Sequence, residues 1–198
     1  MNSAYYGSVG LAVTWIFGIV CPSVAIEVDP AHALIQAALD RGTKAAAQHQ
    51  PPETFYARFG GADELHAGGF LTTKLGAISV MATHMALRGL EPSAADVAQV
   101  TEALTMLVNT VIFGDSPSFA VNSYVVLDQG GKVIKPITVR VDGQASRSAA
   151  WPNSPKFRAK VVAAFGYADF DPKAQTTLTV FPATGGEVRF SIDFGKIE

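Results

Sequence analysis

The sequence predicts an α+β protein: N-terminal helices packed with a C-terminal antiparallel sheet of about five strands. Two observations lead there. Apolar residues recur at helical spacing through the first half, and after Gly114-Asp115-Ser116-Pro117 the period falls to two. Runs of strands that follow runs of helices, instead of alternating with them, point away from a parallel α/β sheet.

The N-terminus reads as a targeting segment. Residues 10–20 form an apolar core, and Ser23-Val24-Ala25 places small residues where a signal peptidase reads, so cleavage is expected before Ile26. No Lys or Arg precedes the core, and the uncharged run 8–26 approaches the roughly 20 residues of a spanning helix. A retained membrane anchor is the alternative. Acylation at Cys21 would want small residues before it, where Gly18-Ile19-Val20 stands. Cys21 is the only cysteine, so a chain beginning at Ile26 has no disulfide, thiolate metal ligand or cysteine nucleophile. The expected division is 1–25 as signal or anchor, 26–117 as the helical part and 118–198 as the β part, the last two forming one compact domain.

Asp29-Pro30 is the expected start of a first helix, with an N-cap residue followed by a first-turn proline. Its apolar face is thin (Leu34, Ile35, Ala38, Leu39), Gly42 interrupts it and Pro51-Pro52 stops it. It should lie at the periphery with a frayed Ala-rich end. Residues 54–59, aromatic and bounded by Pro and Gly, read as a strand or an extended segment that drops aromatic rings onto the core. The run 68–88 reads as a buried central helix. Leu71, Leu75, Ile78, Ala82 and Met85 make one stripe, while Thr72, Gly76, Ser79 and Thr83 make a second of small residues that lets a neighbour approach. Gly89 ends it. Ser93 with Asp96 opens a further helix through an acidic capping pair, and Val97, Val100, Leu104, Leu107, Val108 and Val111 are its expected apolar stripe.

Residues 119–127 and 133–141 read as strands joined by a turn of hairpin composition at 128–132, and Pro136 makes the second an edge or bulged strand. Residues 157–167, 176–181 and 187–194 complete the five. The alternative architecture is a helical hairpin beside a small immunoglobulin-like β-sandwich, which the strand spacing resembles although the usual Cys and Trp marks are missing.

Motifs for chemistry are sparse. His32, His49, His66 and His84 are 17, 17 and 18 residues apart, never at the three- or four-residue spacing that sets two ligands on one helical face, so no metal is expected. Asp169 and Asp171 read as turn residues. Neither Gly-x-Ser-x-Gly nor a phosphate loop occurs after residue 25. No catalytic residue and no cofactor is assigned.

Charge is uneven. Residues 26–115 hold 10 acidic and 5 basic residues (−5), and 116–198 hold 7 acidic and 10 basic (+3). Within the basic half, Arg147, Trp151, Lys156, Arg158 and Lys160 form the candidate partner-binding cluster, an amphipathic aromatic among cations. Arg158 and Lys160 share one face of a strand. The expected function is that of an exported, periplasmic or secreted cell-envelope subunit, binding a protein or anionic surface without catalysis and without nucleic acid. A membrane contact enters only through residues 8–26 if these are retained. The alternative is a carrier of a small hydrophobic ligand, with Phe55, Phe59, Phe165 and Phe190 lining a cavity between central helix and sheet.

Overall fold

A computed structural model describes residues 25–61 and 63–197. The expected signal or anchor, Cys21 included, lies outside the described residues except for Ala25. In chain order the elements are α1 (His32–Ala47), β1 (Ala57–Gly60), β2 (Gly68–Thr72), α2 (Lys74–Ala86), α3 (Ala94–Thr101), β3 (Thr105–Gly114), β4 (Tyr124–Gln129), β5 (Lys132–Ile134), β6 (Thr138–Val141), β7 (Ser146–Arg147), β8 (Phe157–Gly166), β9 (Gln175–Phe181) and β10 (Val188–Asp193). The class is α+β with antiparallel pairing throughout these strands, which divide into two sheets. One runs β1-β2-β3-β8-β6 with β7 beside β8, and the other runs β10-β9-β4-β5.

The two sheets share one core. Leu71, Met106, Val108, Ile112, Val161 and Phe165 from the first meet Val125, Leu127, Leu178, Val180, Phe190 and Ile192 from the second. Alternation on each strand supplies this layer, since every second side chain of a strand points the same way. Ile26 enters the same core, and its N–H donates to Pro172 O at 3.3 Å. A smaller cluster of Ala38, Leu75 and Ile78, flanked by Leu34, Ile35, Leu39 and Val100, holds the helices together.

Several expected elements shift. The central helix starts at Lys74, because Thr73 is its N-cap and accepts from Gly76 N–H at 3.0 Å; residues 68–72 are strand, with Leu71 buried among sheet residues. The small stripe does receive a neighbour. Ser79 Oγ donates to Ala38 O at 2.9 Å and Thr83 Oγ1 to Gly42 O at 3.1 Å. A Cβ on Gly42 would sit 2.3 Å from Ser79 O, so this glycine is what lets the two backbones touch. The first helix is therefore no frayed periphery: Ala38, Gly42, Ala45 and Ala46 are buried, and the helix begins two residues after the buried Pro30, with Ala31 as an N-cap that makes no side-chain cap.

The largest correction concerns the stripe from Val97 to Val111. The capping box of Ser93 and Asp96 is present, but that helix closes at Thr101 and a ten-residue strand follows. Met106, Val108, Thr110 and Ile112 are buried and alternate with more exposed neighbours, a period of two. β-Branched and aromatic residues at 108–113 favour the pleated surface, and pairing with β8 along its whole length decides the matter. Residues 26–117 thus contribute three strands, and β3 is paired to β8 across the expected boundary at 117/118. The aromatic segment at 54–59 is a 3-10 turn (Pro52–Phe55) leading into β1. The expected strand at 133–141 is two strands in different sheets, separated at Pro136, which has no N–H to continue a ladder. The hairpin at 128–132 forms as expected, with positive φ at Gly130 (64°) and Gly131 (92°) between the paired Gln129 and Lys132.

Candidate functional site

The strand registers line up the outward residues of the larger sheet in rows. Arg58, Phe70, Asn109, Val162 and Arg140 lie side by side across β1, β2, β3, β8 and β6. The next row on that face carries Val111 and Lys160, and the third carries Phe113, Arg158 and Ser146. Arg58, Arg140, Arg158 and Lys160 are exposed, and among the described residues none of them has an ion pair. By contrast Arg189 is held by Glu187 at 2.9 Å, Lys196 by Asp193 at 2.9 Å and Lys132 by Asp169 O at 2.7 Å. The same face keeps apolar groups in water: Leu107 is 46% exposed, and Phe70, Val111 and Phe113 are half-buried.

A groove of about 540 Å³ crosses this face. Gly60, Gly61, Gly68 and Gly69 line one part without side chains, Phe70, Val111 and Phe113 line another, and Arg58 and Arg158 both reach it. Asp63, Glu64 and His66 of the β1–β2 connection also line it. Asp63 is committed to its own turn, accepting from Leu65 N–H and His66 N–H at 2.9 Å each and contacting His66 Nδ1 at 2.7 Å. The Leu65 N–H, and then the His66 side chain, hold its carboxyl below the usual range. Asp171 likewise accepts from Lys173 N–H two residues on, at 2.8 Å, the turn role its sequence suggested.

The five residues of the sequence-derived cluster do not share a face. Arg158 and Lys160 project from the outward side of β8. Arg147 is registered with Phe157, whose side is that of the buried Ala159 and Val161, so it belongs to the opposite side at the sheet's end. There its guanidinium lies 4.6 Å from the Trp151 ring centroid, and Trp151 meets Phe157 edge-on at 5.4 Å. Trp151, 41% exposed, half-covers the end of the core. Lys156 is exposed, and its N–H donates to Asp115 Oδ1 at 3.1 Å. The other Asp115 oxygen accepts from Ser154 Oγ at 2.9 Å, Ala150 N–H donates to Ser148 Oγ at 3.1 Å, and Ser148 Oγ donates to Pro155 O. The loop 148–156 is thereby tied down at both ends.

Sequence reasoning missed Arg58 and Arg140. Each is an isolated cation in its own segment, and only strand pairing sets them in one row with residues far away in the chain. The hint available was alternation: Arg58 sits between Ala57 and Phe59, and Arg140 between Val139 and Val141, as an outward residue of a strand does. The four aromatics considered as cavity lining divide as well. Phe59, Phe165 and Phe190 are packed in the core, while Phe55 is half-buried beside a crevice of about 350 Å³ that Arg41, Arg58, Ser79 and Lys196 also line.

Among the described residues no group of three His, Asp or Glu is placed to hold a metal ion, and no helix is long and apolar enough to cross a membrane. The class so defined is a two-sheet antiparallel α+β protein whose outward face carries four exposed cations without ion pairs among the described residues, with the Asp142 carboxylate accepting from Lys160 N–H at 2.8 Å beside them. No family model matches the chain, and no curated protein matches it. Among solved structures it is similar to the archaellum periplasmic stator protein complex FlaF and FlaG from Sulfolobus acidocaldarius, at 13% identity over 44% of this chain and 76% of that one, with a TM-score of 0.28. A likeness that loose carries no argument about fold or role.

Proposed function

We propose that the protein is an exported cell-envelope subunit that works by binding through a surface and performs no catalysis. The observation that supports this reading most is the row of Arg58 and Arg140 with Arg158 and Lys160 beside it, cations left without carboxylate partners over half-buried Phe70, Val111 and Phe113. Folding gains little from four solvated like charges on one face, whereas an encounter with an acidic surface gains attraction at range and exclusion of wrong partners. The apolar run at 10–20 followed by Ser23-Val24-Ala25 supports export. Arg147 and Trp151, at the end of the sheet and on its other side, lie off this face and form no part of the contact.

Sedimentation with the envelope fraction of the source cells tests it. The protein should pellet at low salt, be released as ionic strength rises through about 0.5 M, and fail to pellet once Arg158→Glu and Lys160→Glu are combined. Equal pelleting of the charge-reversed protein would refute surface binding through this face.

A further inference from the structure

We propose that the groove on the outward face of the larger sheet takes an extended, acidic segment of a partner protein, with an apolar side chain of that segment seated between Phe70 and Phe113. This rests on the surface-binding reading above and names the chemistry of the partner.

Spacing argues against a small anion. From the row of Arg58 to that of Arg158 the sheet runs three strand spacings across and four residues along, about 20 Å between Cα positions at roughly 4.8 Å per strand and 3.3 Å per residue. Two long side chains narrow that span without closing it onto one carboxylate. About six residues of extended chain cover it, with room for an acidic residue at each end. Lys160, between the two rows on β8, offers a third contact. The middle of the groove is apolar and glycine-lined, which suits a side chain of Leu or Phe size and leaves a charged one unpaired.

The lining selects against other anionic macromolecules. Asp63 and Glu64 also line the groove, where a continuous phosphate backbone or a lipid headgroup layer would meet two carboxylates. A peptide can place a neutral or basic residue there. A second copy of the chain is disfavoured too, because face-to-face pairing would bring Arg58, Arg140, Arg158 and Lys160 against their own copies.

Fluorescence anisotropy on the full chain tests this with a labelled peptide of roughly eight residues, acidic at both ends and with a central phenylalanine. Binding should weaken about tenfold on Arg58→Glu or Arg158→Glu, by a similar factor when the central phenylalanine becomes alanine, and stay unchanged on Arg189→Glu, an exposed cation of the other sheet. Circular dichroism confirms that each variant is folded. The inference is overturned if the charge reversals leave affinity unchanged, if the alanine peptide binds as well, or if a single-stranded oligonucleotide or phosphatidylglycerol vesicles bind as tightly. Envelope sedimentation that still depends on Arg158 and Lys160 while the peptide does not bind would sink the acidic-segment assignment alone. Loss of both would sink the surface-binding reading with it.

Discussion

The Lys74 ammonium lies 5.1 Å from the centroid of the Tyr167 ring. Lys74 is the first residue of α2 and Tyr167 the residue just past β8, so this pair joins the helices to the larger sheet. Lys74 Nζ also donates to Thr101 O at the C-terminal end of α3, where a cation meets the negative end of the helix dipole. A lysine only 8% exposed is tolerable on those terms, since the ring face and the carbonyl replace its water.

Burial pushes the Tyr167 hydroxyl up to about 12 from its ordinary 10.0, against the opposing effect of the Lys74 N–H. Below pH 10 both folded and unfolded chains hold the proton and stability is unaffected. Between about pH 10 and 12 the unfolded chain loses it first and binds fewer protons than the folded one, so stability falls as pH rises, by on the order of 2–3 kcal/mol in full. Denaturant melts at pH 9, 10 and 11 should show this decline, and Tyr167→Phe should remove this share of it. An identical slope in the variant would assign the alkaline loss to other groups.

Gly42→Ala should cost about 1–3 kcal/mol. Its Cβ would meet the Ser79 carbonyl at 2.3 Å and Ala82 Cβ at 2.6 Å, and neither atom belongs to a flexible side chain. Urea unfolding measures the cost. Gly143, where a Cβ meets nothing within 4 Å, is the control, and Gly143→Ala should stay within about 0.5 kcal/mol.

N-terminal sequencing of protein from the source cells should begin at Ile26. The Ile26 side chain is 2% exposed within the core, so Ile26→Ala should destabilise by about 2–4 kcal/mol in thermal or chemical melts. Recovery of intact Met1 in a membrane fraction would instead establish the anchor.

Trp151→Ala should lower stability by about 1–2 kcal/mol, since half of the ring is covered by Phe157 and Arg147, and should leave envelope sedimentation intact because Trp151 lies off the outward face. The opposite pattern, unchanged melting with lost sedimentation, would return Trp151 to the contact surface.

What the sequence determined by itself was what local pattern determines. The α+β class, the capping box at Ser93, the hairpin at Gly130-Gly131, the strands near 157–167 and 176–181, and the close-packing stripe of Ser79 and Thr83 all follow from spacing and turn chemistry within a few residues. Val97 to Val111 marks the limit of that method. Apolar residues at 97, 100, 104, 107, 108 and 111 satisfy a helical period, while the buried residues 106, 108, 110 and 112 satisfy a period of two; β8, paired with β3 along all ten residues, and β2, paired on its other side over 107–111, settle the conflict. The partition of the strands into two sheets, the crossing at Pro136, and the meeting of Arg58, Arg140, Arg158 and Lys160 were decided only in three dimensions. Their physical cause is strand pairing between residues up to 61 positions apart, Thr105 with Gly166, which places side chains by register and leaves no mark on the spacing of the residues it unites.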